Sequence, residues 1–585
     1  MAQYPGAQRV PGAWSKGYKT IEQKNAKEIL EFLAGPTFQG RNAFNGDWFA
    51  AAGYVATYLH GLGLQPGGEG GSYLRRFTFL ESTLDPAGTE LRSEDGQLVY
   101  PYGADFNAQS AFASADSLKF AFVHLPQGAD PNKLDWSLVK GRCVILTRES
   151  RSNQFILDVL ARRNPTVTFD QTVASFEPVA PSRAIIERAV KDFPDPRVAK
   201  YLNFRLSAKA QEAIATKCGA AKFLAHSATE PSIEVSDVPF KLTIKVTSKE
   251  NAAANVVAVF PGTDPALKDE CVLVGSHLDH FGASADGIRF GADDNGSGCT
   301  ANMLLARAIS ENPVKPKRTV VFCFWTMEES GTYGSFAYSA NPLFPIAKTV
   351  AYVNMDMVSR NEEYTIDIPE NNVRSAYAGI VQLNSPDFAK LLADTNRYVN
   401  LHLKNDKEDR TERSDTRNFV FRGVPTVKVF TGEHKDYHRA TDTVDKVNFE
   451  KLTNVAKWVY LTVEELADGR PRPKFEKTIW TGPADASYQG HAKLPEGTVL
   501  PKDARLTVEL VEEGQTNPVD SMTAPTITST PFEITLSKTK LDPKKTYRLL
   551  FRVASGKTTL FTNESPISAS PTGWTRPQDV PLKKA

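Results

Sequence analysis

The chain has 585 residues, 41% of them hydrophobic and 23% charged, with 69 Lys+Arg against 68 Asp+Glu and a formal charge of +1. That length is too great for one hydrophobic core and predicts about three or four domains. The even charge balance gives no reason to expect nucleic acid or an anionic membrane surface as a partner, and no apolar run approaches the ~18–20 residues of a membrane span.

The opening Met1-Ala-Gln-Tyr-Pro is polar and lacks the layout of a signal peptide. This fits either a cytosolic protein or a mature chain whose leader was replaced by Met. Amphipathic helices are predicted at Ile21–Leu33 and Asp47–Gly61, flanking Gly40-Arg41-Asn42, and a strand at Tyr73–Phe79. From Ser82 to Thr247 the pattern changes. Strands are expected at Leu118–His124, Cys143–Thr147 and Ala220–Ala225, a helix at Ala210–Cys218, and further helices in the polar, Pro-punctuated stretch Ser150–Ala210.

Strands and helices then alternate from Asn255 to Asp468, with strand-like runs at Val256–Phe260, Cys271–Ser276, Thr319–Trp325, Val350–Met355 and Thr426–Phe430. Such alternation predicts an α/β sheet covered by helices on both faces. After Gly469, Pro residues punctuate short strand candidates at Ala504–Val511, Pro531–Ser537, Thr546–Val553 and Thr558–Thr562, which read as a small all-β domain with an extended tail after Ser565. The five cysteines form no C-x-x-C pair, so a thiolate zinc site is not expected; Cys271 and Cys323 read as buried packing residues, and a single disulfide stays open.

Chemistry-bearing residues collect where apolar runs end, the position that open α/β sheets use for their sites. His277-Leu-Asp279 follows the first run; an imidazole there can ligate a metal while Asp279 accepts the other ring N–H, although a structural hydrogen-bonded pair fits equally. Asp293-Asp294-Asn295-Gly296 is either a solvated turn with a helix cap or a loop whose carboxylate bridges two cations. Glu328-Glu329 after the second run can divide the work between metal ligand and general base; the plain alternative is two surface charges at a helix start. Asp356 ends the third run between two methionines. Tyr437-His438 follows the last run and offers one more nitrogen, with His434 as the weaker competitor.

The set His277-x-Asp279, Gly291-Ala-Asp-Asp294-Asn-Gly-Ser-Gly298, Glu328-Glu329-x-Gly331-x-x-Gly334-Ser335, Asn354-x-Asp356-Met357, Ser414-Asp415-x-x-x-Phe419 and Tyr437-His438-x-x-x-Asp442-Thr443 resembles the M28 family of zinc metallopeptidases. The resemblance implies a mixed-sheet zinc-exopeptidase core and two Zn2+ ions, with Co2+ or Mn2+ as substitutes. Asp294 would bridge the ions, His277 and Asp356 would complete one site, and Glu329 and His438 the other. Glu328 would be the general base, Asp279 the partner of His277, and Tyr437 the stabiliser of the tetrahedral intermediate. A cis Asp294–Asn295 peptide is expected on the same ground.

By the same resemblance residues 1–90 begin the peptidase domain, 91–247 form a β-rich, protease-associated-like insert with a helical elaboration, 248–469 complete the peptidase, and 470–585 form a β-sandwich-like domain. The implied activity is that of an aminopeptidase acting on peptides; a glutamate-carboxypeptidase-like carboxypeptidase or dipeptidase, a single-zinc glutaminyl cyclase and a non-catalytic binding protein on the same scaffold are the alternatives. Family members with such inserts are exported, so a secreted or periplasmic location is expected, with the leader missing from this sequence.

Overall fold

The computed structural model describes residues 4–110, 114–153, 155–156, 171–175, 186–191, 202–364, 368–404, 414–476, 485–501, 503–526, 529–537, 541–571 and 578–585. They divide into two compact units, Met1–Arg76 with Ala254–Ala585, and Phe77–Ala253.

The first unit carries a large mixed sheet. Among its elements, in chain order, are α1 (Gln23–Leu33), α2 (Gly46–Gly61), β1 (Val246–Phe260), β2 (Cys271–His277), α3 (Gly298–Glu311), β3 (Thr319–Trp325), α4 (Tyr333–Ala340), β4 (Thr349–Met355), β5 (Ser375–Gly379), α5 (Pro386–Asn396), β6 (His402–Lys404), β7 (Thr426–Phe430) and α6 (Phe449–Ala467). From β1 onward the strand order of that sheet is β1-β3-β2-β4-β7-β5-β6. Strands β3, β2, β4 and β7 are mutually parallel, whereas β1 joins β3 and β5 joins β7 antiparallel.

Alternation along the strands explains the layering. Val272, Val274, Val320, Phe322, Phe324, Val353 and Met355 face one core, which α1, α3 and α6 cover with Leu30, Leu304 and Trp458. Cys271, Leu273, Val321, Cys323, Trp325 and Tyr352 face the other, closed by Tyr338 of α4 and Phe419. Both strand cysteines are buried packing residues, and all five cysteines are free thiols. Helix α1 follows from Ala26, Ile29, Leu30 and Leu33 on one stripe, and α6 from an Asn448 cap whose side chain accepts the Lys451 N–H.

Arg41 ties the N-terminal helices to this sheet. It is fully buried, and its guanidinium donates to the carbonyls of Leu33, Leu278, Phe290 and Gly291 at 2.7–2.9 Å. A planar fork with several donors can satisfy four converging carbonyls, which a lysine cannot.

In the Phe77–Ala253 unit a six-stranded sheet runs in the order Ser232–Val235, Phe120–His124, Cys143–Leu146, Gln171–Ser175, Leu202–Leu206 and Phe106–Ser110, beside a four-stranded sheet of Val99–Pro101, Glu90–Ser93, Phe240–Thr243 and Ala115–Leu118. The helices expected within Ser150–Ala210 fall mostly outside the described residues. Those described there include three strands, Gln171–Ser175, Ile186–Val190 and Leu202–Leu206, because short Val- and Phe-containing runs find partners across the sheets. Ala221–Ala225 is a helix, not a strand; Gly219, with φ +72°, ends the preceding helix and a second turn of good helix formers follows.

From residue 485 the described elements are strands, in the order Pro518–Pro525, Arg505–Glu512, Tyr547–Ser555, Thr558–Asn563, Gln578–Lys584, Asp485–Lys493 and Ser529–Ser537, with Ile567–Ala569 on Tyr547–Ser555. The tail after Ser565 is thus partly built into the sheet.

Candidate metal centre

The site forms at the carboxyl ends of β2, β3 and β4, where β2 lies between the other two. His277 is the last residue of β2, Glu328 and Glu329 follow β3, and Asp356 follows β4. Asp294 comes from the loop before α3. That loop is stitched to the end of β4: Asn295 donates from Nδ2 to the Met355 carbonyl at 2.9 Å and accepts the Gly298 N–H at 3.0 Å, while Ser297 Oγ accepts the Val358 N–H at 2.9 Å. Gly291 opens the loop at φ +58°, where a Cβ would collide with the Asp294 carbonyl. The Asp294–Asn295 peptide is cis.

Asp294 presents its two oxygens to two histidines. Oδ1 lies 3.2 Å from His277 Nε2, and Oδ2 lies 3.2 Å from His438 Nε2. Asp356 Oδ1 is 3.4 Å from the same His277 nitrogen, and Glu329 Oε2 is 3.2 Å from the same His438 nitrogen. Two donor sets result: His277, Asp294 and Asp356, and His438, Asp294 and Glu329.

The remaining carboxylate oxygens are occupied. Asp356 Oδ2 accepts from Ser414 Oγ at 2.7 Å and lies 3.4 Å from Lys428 Nζ; Glu329 Oε1 accepts from His280 Nδ1 at 2.6 Å. Ser414 ends a buried chain in which Trp325 Nε1 donates to Tyr352, Tyr352 to Asn354 and Asn354 to Ser414, all at 2.7–2.9 Å.

The donor sets fit a zinc-like cation on two counts. First, ligands about 2.0–2.1 Å from a tetrahedral ion are about 3.3 Å from one another, and the four separations above lie there. Second, His277 Nδ1 is 3.1 Å from the Asp279 backbone carbonyl. A carbonyl only accepts, so Nδ1 carries a proton, and in the neutral ring Nε2 then offers its lone pair to a cation. The Asp279 carboxylate itself stands 3.9 Å from that nitrogen. This corrects the expected imidazole–carboxylate pair: Asp279 Oδ1 accepts the backbone N–H of Glu328 at 3.1 Å instead.

Negative charge accumulates here. Burial pushes Glu328 well above the usual carboxylate range, with Asp415, Glu329 and Asp356 adding to the rise and His277 opposing it. Burial likewise raises Asp279 to about 6 and Asp415 to about 7. For Asp294 burial acts in the same sense, but His277 and His438 outweigh it and hold the group well below its ordinary value. Burial disfavours charge on His438, yet Asp294 and Glu329 lift it to about 9. Such a cluster calls for cations.

Tyr437 stacks on His438 with ring centroids 3.7 Å apart. Burial and the carboxylates of Asp294, Glu329, Asp356 and Glu328 raise its phenol, so it stays a hydrogen-bond donor at neutral pH. His434 takes no part in either set; its Nε2 pairs with Asp293 Oδ2 at 3.3 Å, and Asp293 in turn accepts from Ser359 Oγ at 2.6 Å. Met327, Met357 and His438 all have φ between 56° and 58°, backbone strain gathered beside the donor atoms. Sequence reasoning missed His280 and Lys428; only the first carried a signal, being next to His277-x-Asp279.

The family model described as Peptidase family M28 matches residues 255–463, the segment that contributes every donor above. Over residues 255–463 the chain is similar to peptidase family M28. The chain is 24% identical over 351 residues to leupeptin-inactivating enzyme 1 of Streptomyces exfoliatus, covering 54% of this chain and 74% of that protein. It is 31% identical over 202 residues to a probable leucine aminopeptidase 2 of Aspergillus fumigatus, covering 34% and 37%. The chain thus spans about three quarters of the first relative and well under half of the second. Among solved structures, an aminopeptidase from Aneurinibacillus sp. strain AM-1 aligns over 80% of this chain and 98% of its own, at 18% identity and a TM-score of 0.45. No helix among the described residues is long and apolar enough to cross a membrane.

Proposed function

We propose that the protein is a di-zinc aminopeptidase that releases N-terminal residues from peptides. The observation that carries the reading is Asp294, whose two oxygens face His277 and His438 at equal 3.2 Å separations. His277, Asp294 and Asp356 would hold one ion, and Glu329, Asp294 and His438 the other; cobalt or manganese suits the same nitrogen and oxygen donors. When bound, the ions would polarise the scissile carbonyl and lower the pKa of the attacking water.

The chain's own residues supply the rest. Glu328, whose carboxyl burial raises well above the usual carboxylate range, would take the water proton and hand it to the leaving amine. Its backbone is held by Asp279, which keeps the acid at the strand end. Tyr437 would donate to the developing oxyanion. The relatives named as leucine aminopeptidases support an amino-terminal specificity with an apolar first residue. The Phe77–Ala253 unit as a protease-associated domain, the C-terminal strands as a β-sandwich-like domain and an exported location belong to the same proposal.

Hydrolysis of leucyl-anilide, abolished by chelator and restored by about two equivalents of zinc, is the expected result. Exclusive cleavage of N-blocked peptides at their carboxyl end would turn the assignment to the carboxypeptidase alternative, which a relative named a probable glutamate carboxypeptidase, 29% identical over 182 residues, keeps in view. Activity that survives complete metal removal would overturn both.

A further inference from the structure

His280 follows the predicted motif by one residue; it clusters with Asp294 and Glu329, its Nδ1 4.0 Å from Asp294 Oδ2, but belongs to neither donor set above. It is fully enclosed: its side chain has no exposed surface. Its ring packs edge-on against Phe281, with centroids 5.0 Å apart, and lies 5.9 Å from the His438 ring. Gly291 backs it so closely that a Cβ at that position would come within 2.6 Å of its Cδ2. Its backbone N–H donates to the Arg41 carbonyl at 3.2 Å, and the next carbonyl, of Phe281, accepts from Asn42 Nδ2 at 2.7 Å. The ring is therefore enclosed by Phe281, Gly291 and His438, and its backbone is held by a segment that precedes it in sequence by more than two hundred residues.

Its one short polar contact is Nδ1 to Glu329 Oε1 at 2.6 Å. That length separates it from the donor sets around it. Atoms sharing a tetrahedral ion stand about 3.3 Å apart, as Glu329 Oε2 and His438 Nε2 do at 3.2 Å; 2.6 Å is a hydrogen bond. A carboxylate beside a bound cation accepts, so Nδ1 must bring the proton.

We propose that His280 is a positioning residue for Glu329: its Nδ1–H claims Oε1 and leaves Oε2 alone to face the cation that His438 and Asp294 also face. A free carboxylate can rotate about its last torsion and offer either oxygen or both. Pinning one oxygen removes that freedom before a metal arrives and sets one-oxygen ligation. Asp356 is arranged likewise, with Ser414 and Lys428 on Oδ2 and Oδ1 left towards His277. Asp294, which must serve both sides, has neither oxygen claimed by a non-histidine donor among the described residues. Arg41 and Asn42 would thus act on the centre through His280, giving the N-terminal segment a part in metal affinity without contributing a ligand.

The inference rests on the two-cation reading above, and the experiment separates the two. Zinc affinity and stoichiometry are measured by competitive chelator titration and elemental analysis on the full-length protein and on H280A, H280N and E329Q, with kcat and KM for leucyl-anilide at saturating zinc. Asn places an amide N–H where imidazole has Nδ1–H, so it restores the donor without the ring.

In H280A one of the two zinc equivalents should lose affinity by about 10–100-fold, with the other unchanged. KM should move little at saturating zinc, and H280N should return to within about threefold of the native affinity. Native affinity for both equivalents in H280A overturns the proposal. So does an H280N variant that is folded yet as weak as H280A, since that would make the ring itself a ligand or a packing element. Should H280A fail to fold, H280L, which fills the volume without a donor, replaces it in the comparison. E329Q keeps the site reading apart: if it too leaves both equivalents untouched, the two-cation assignment fails, whereas loss in E329Q with none in H280A sinks the role of His280 alone.

Discussion

Asp279 accepts the backbone N–H of Glu328 through its Oδ1 at 3.1 Å, joining the exit of β2 to the exit of β3. The same residue's carbonyl accepts from His277 Nδ1, so one residue orients both a donor histidine and the proposed base. Asp279→Asn keeps an oxygen acceptor for the Glu328 N–H; Asp279→Ala does not. The expected outcome is a modest loss of kcat in D279N and a loss of about 10–100-fold in D279A, read from steady-state kinetics at saturating zinc. Equal losses in both variants would show that the charge of Asp279, rather than its acceptor, is what counts.

Glu328→Gln removes the proton acceptor and leaves both donor sets intact. Turnover should fall by about 10²–10⁴-fold while elemental analysis finds native zinc. His438→Ala should do the reverse at the level of composition, losing about one equivalent. An E328Q enzyme that keeps substantial activity would remove Glu328 from the mechanism.

Arg41 sends its guanidinium into four carbonyls. Arg41→Met leaves those acceptors buried without partners and should cost about 3–5 kcal/mol, visible as a lowered thermal midpoint of the metal-stripped and metal-loaded protein alike. An unchanged midpoint would mean the carbonyls find other donors.

Glu464 lies inside α6 and is 2% exposed. Burial lifts its carboxyl to about 7 from the usual 4.5. The folded state therefore holds the proton more tightly than the unfolded one. The stabilisation is fully present below 4.5 and is lost as pH rises through about 7. Glu464→Gln escapes that loss, so relative to the native protein it should gain about 2–3 kcal/mol between pH 5 and pH 8. Parallel pH–stability curves for the two proteins would contradict the shift.

Much of the core was legible in the chain itself. Apolar runs such as Cys271–Ser276 and Thr319–Trp325 bury both faces and can be little else than inner strands. A histidine or acid at the end of each run marks one edge of a parallel sheet whatever the strand order. His277, Glu329 and Asp356 stand at or just after such ends, Asp294 and His438 were singled out by the family resemblance, and the structure brings the donor atoms of all five within 3.4 Å of a neighbour in the group. The Phe77–Ala253 unit was less readable: short runs such as Ala220–Ala225 have no periodicity long enough to separate a turn of helix from a strand.

By itself, then, the sequence determined the sheet's inner strands, the order of the motifs and the types of donor atom, because these depend on local pattern and on which residue ends each run. Tertiary structure alone decided which oxygen of each carboxylate is free. That His280 takes Oε1 of Glu329, that Ser414 and Lys428 take Oδ2 of Asp356, and that the Asp279 carboxylate serves Glu328 while its carbonyl serves His277 are contacts between residues up to 72 positions apart. They depend on ångström-scale separations and side-chain torsions, fixed only when β2, β3, β4 and β7 pack side by side and Arg41 ties down the carbonyls of Leu278 and Gly291.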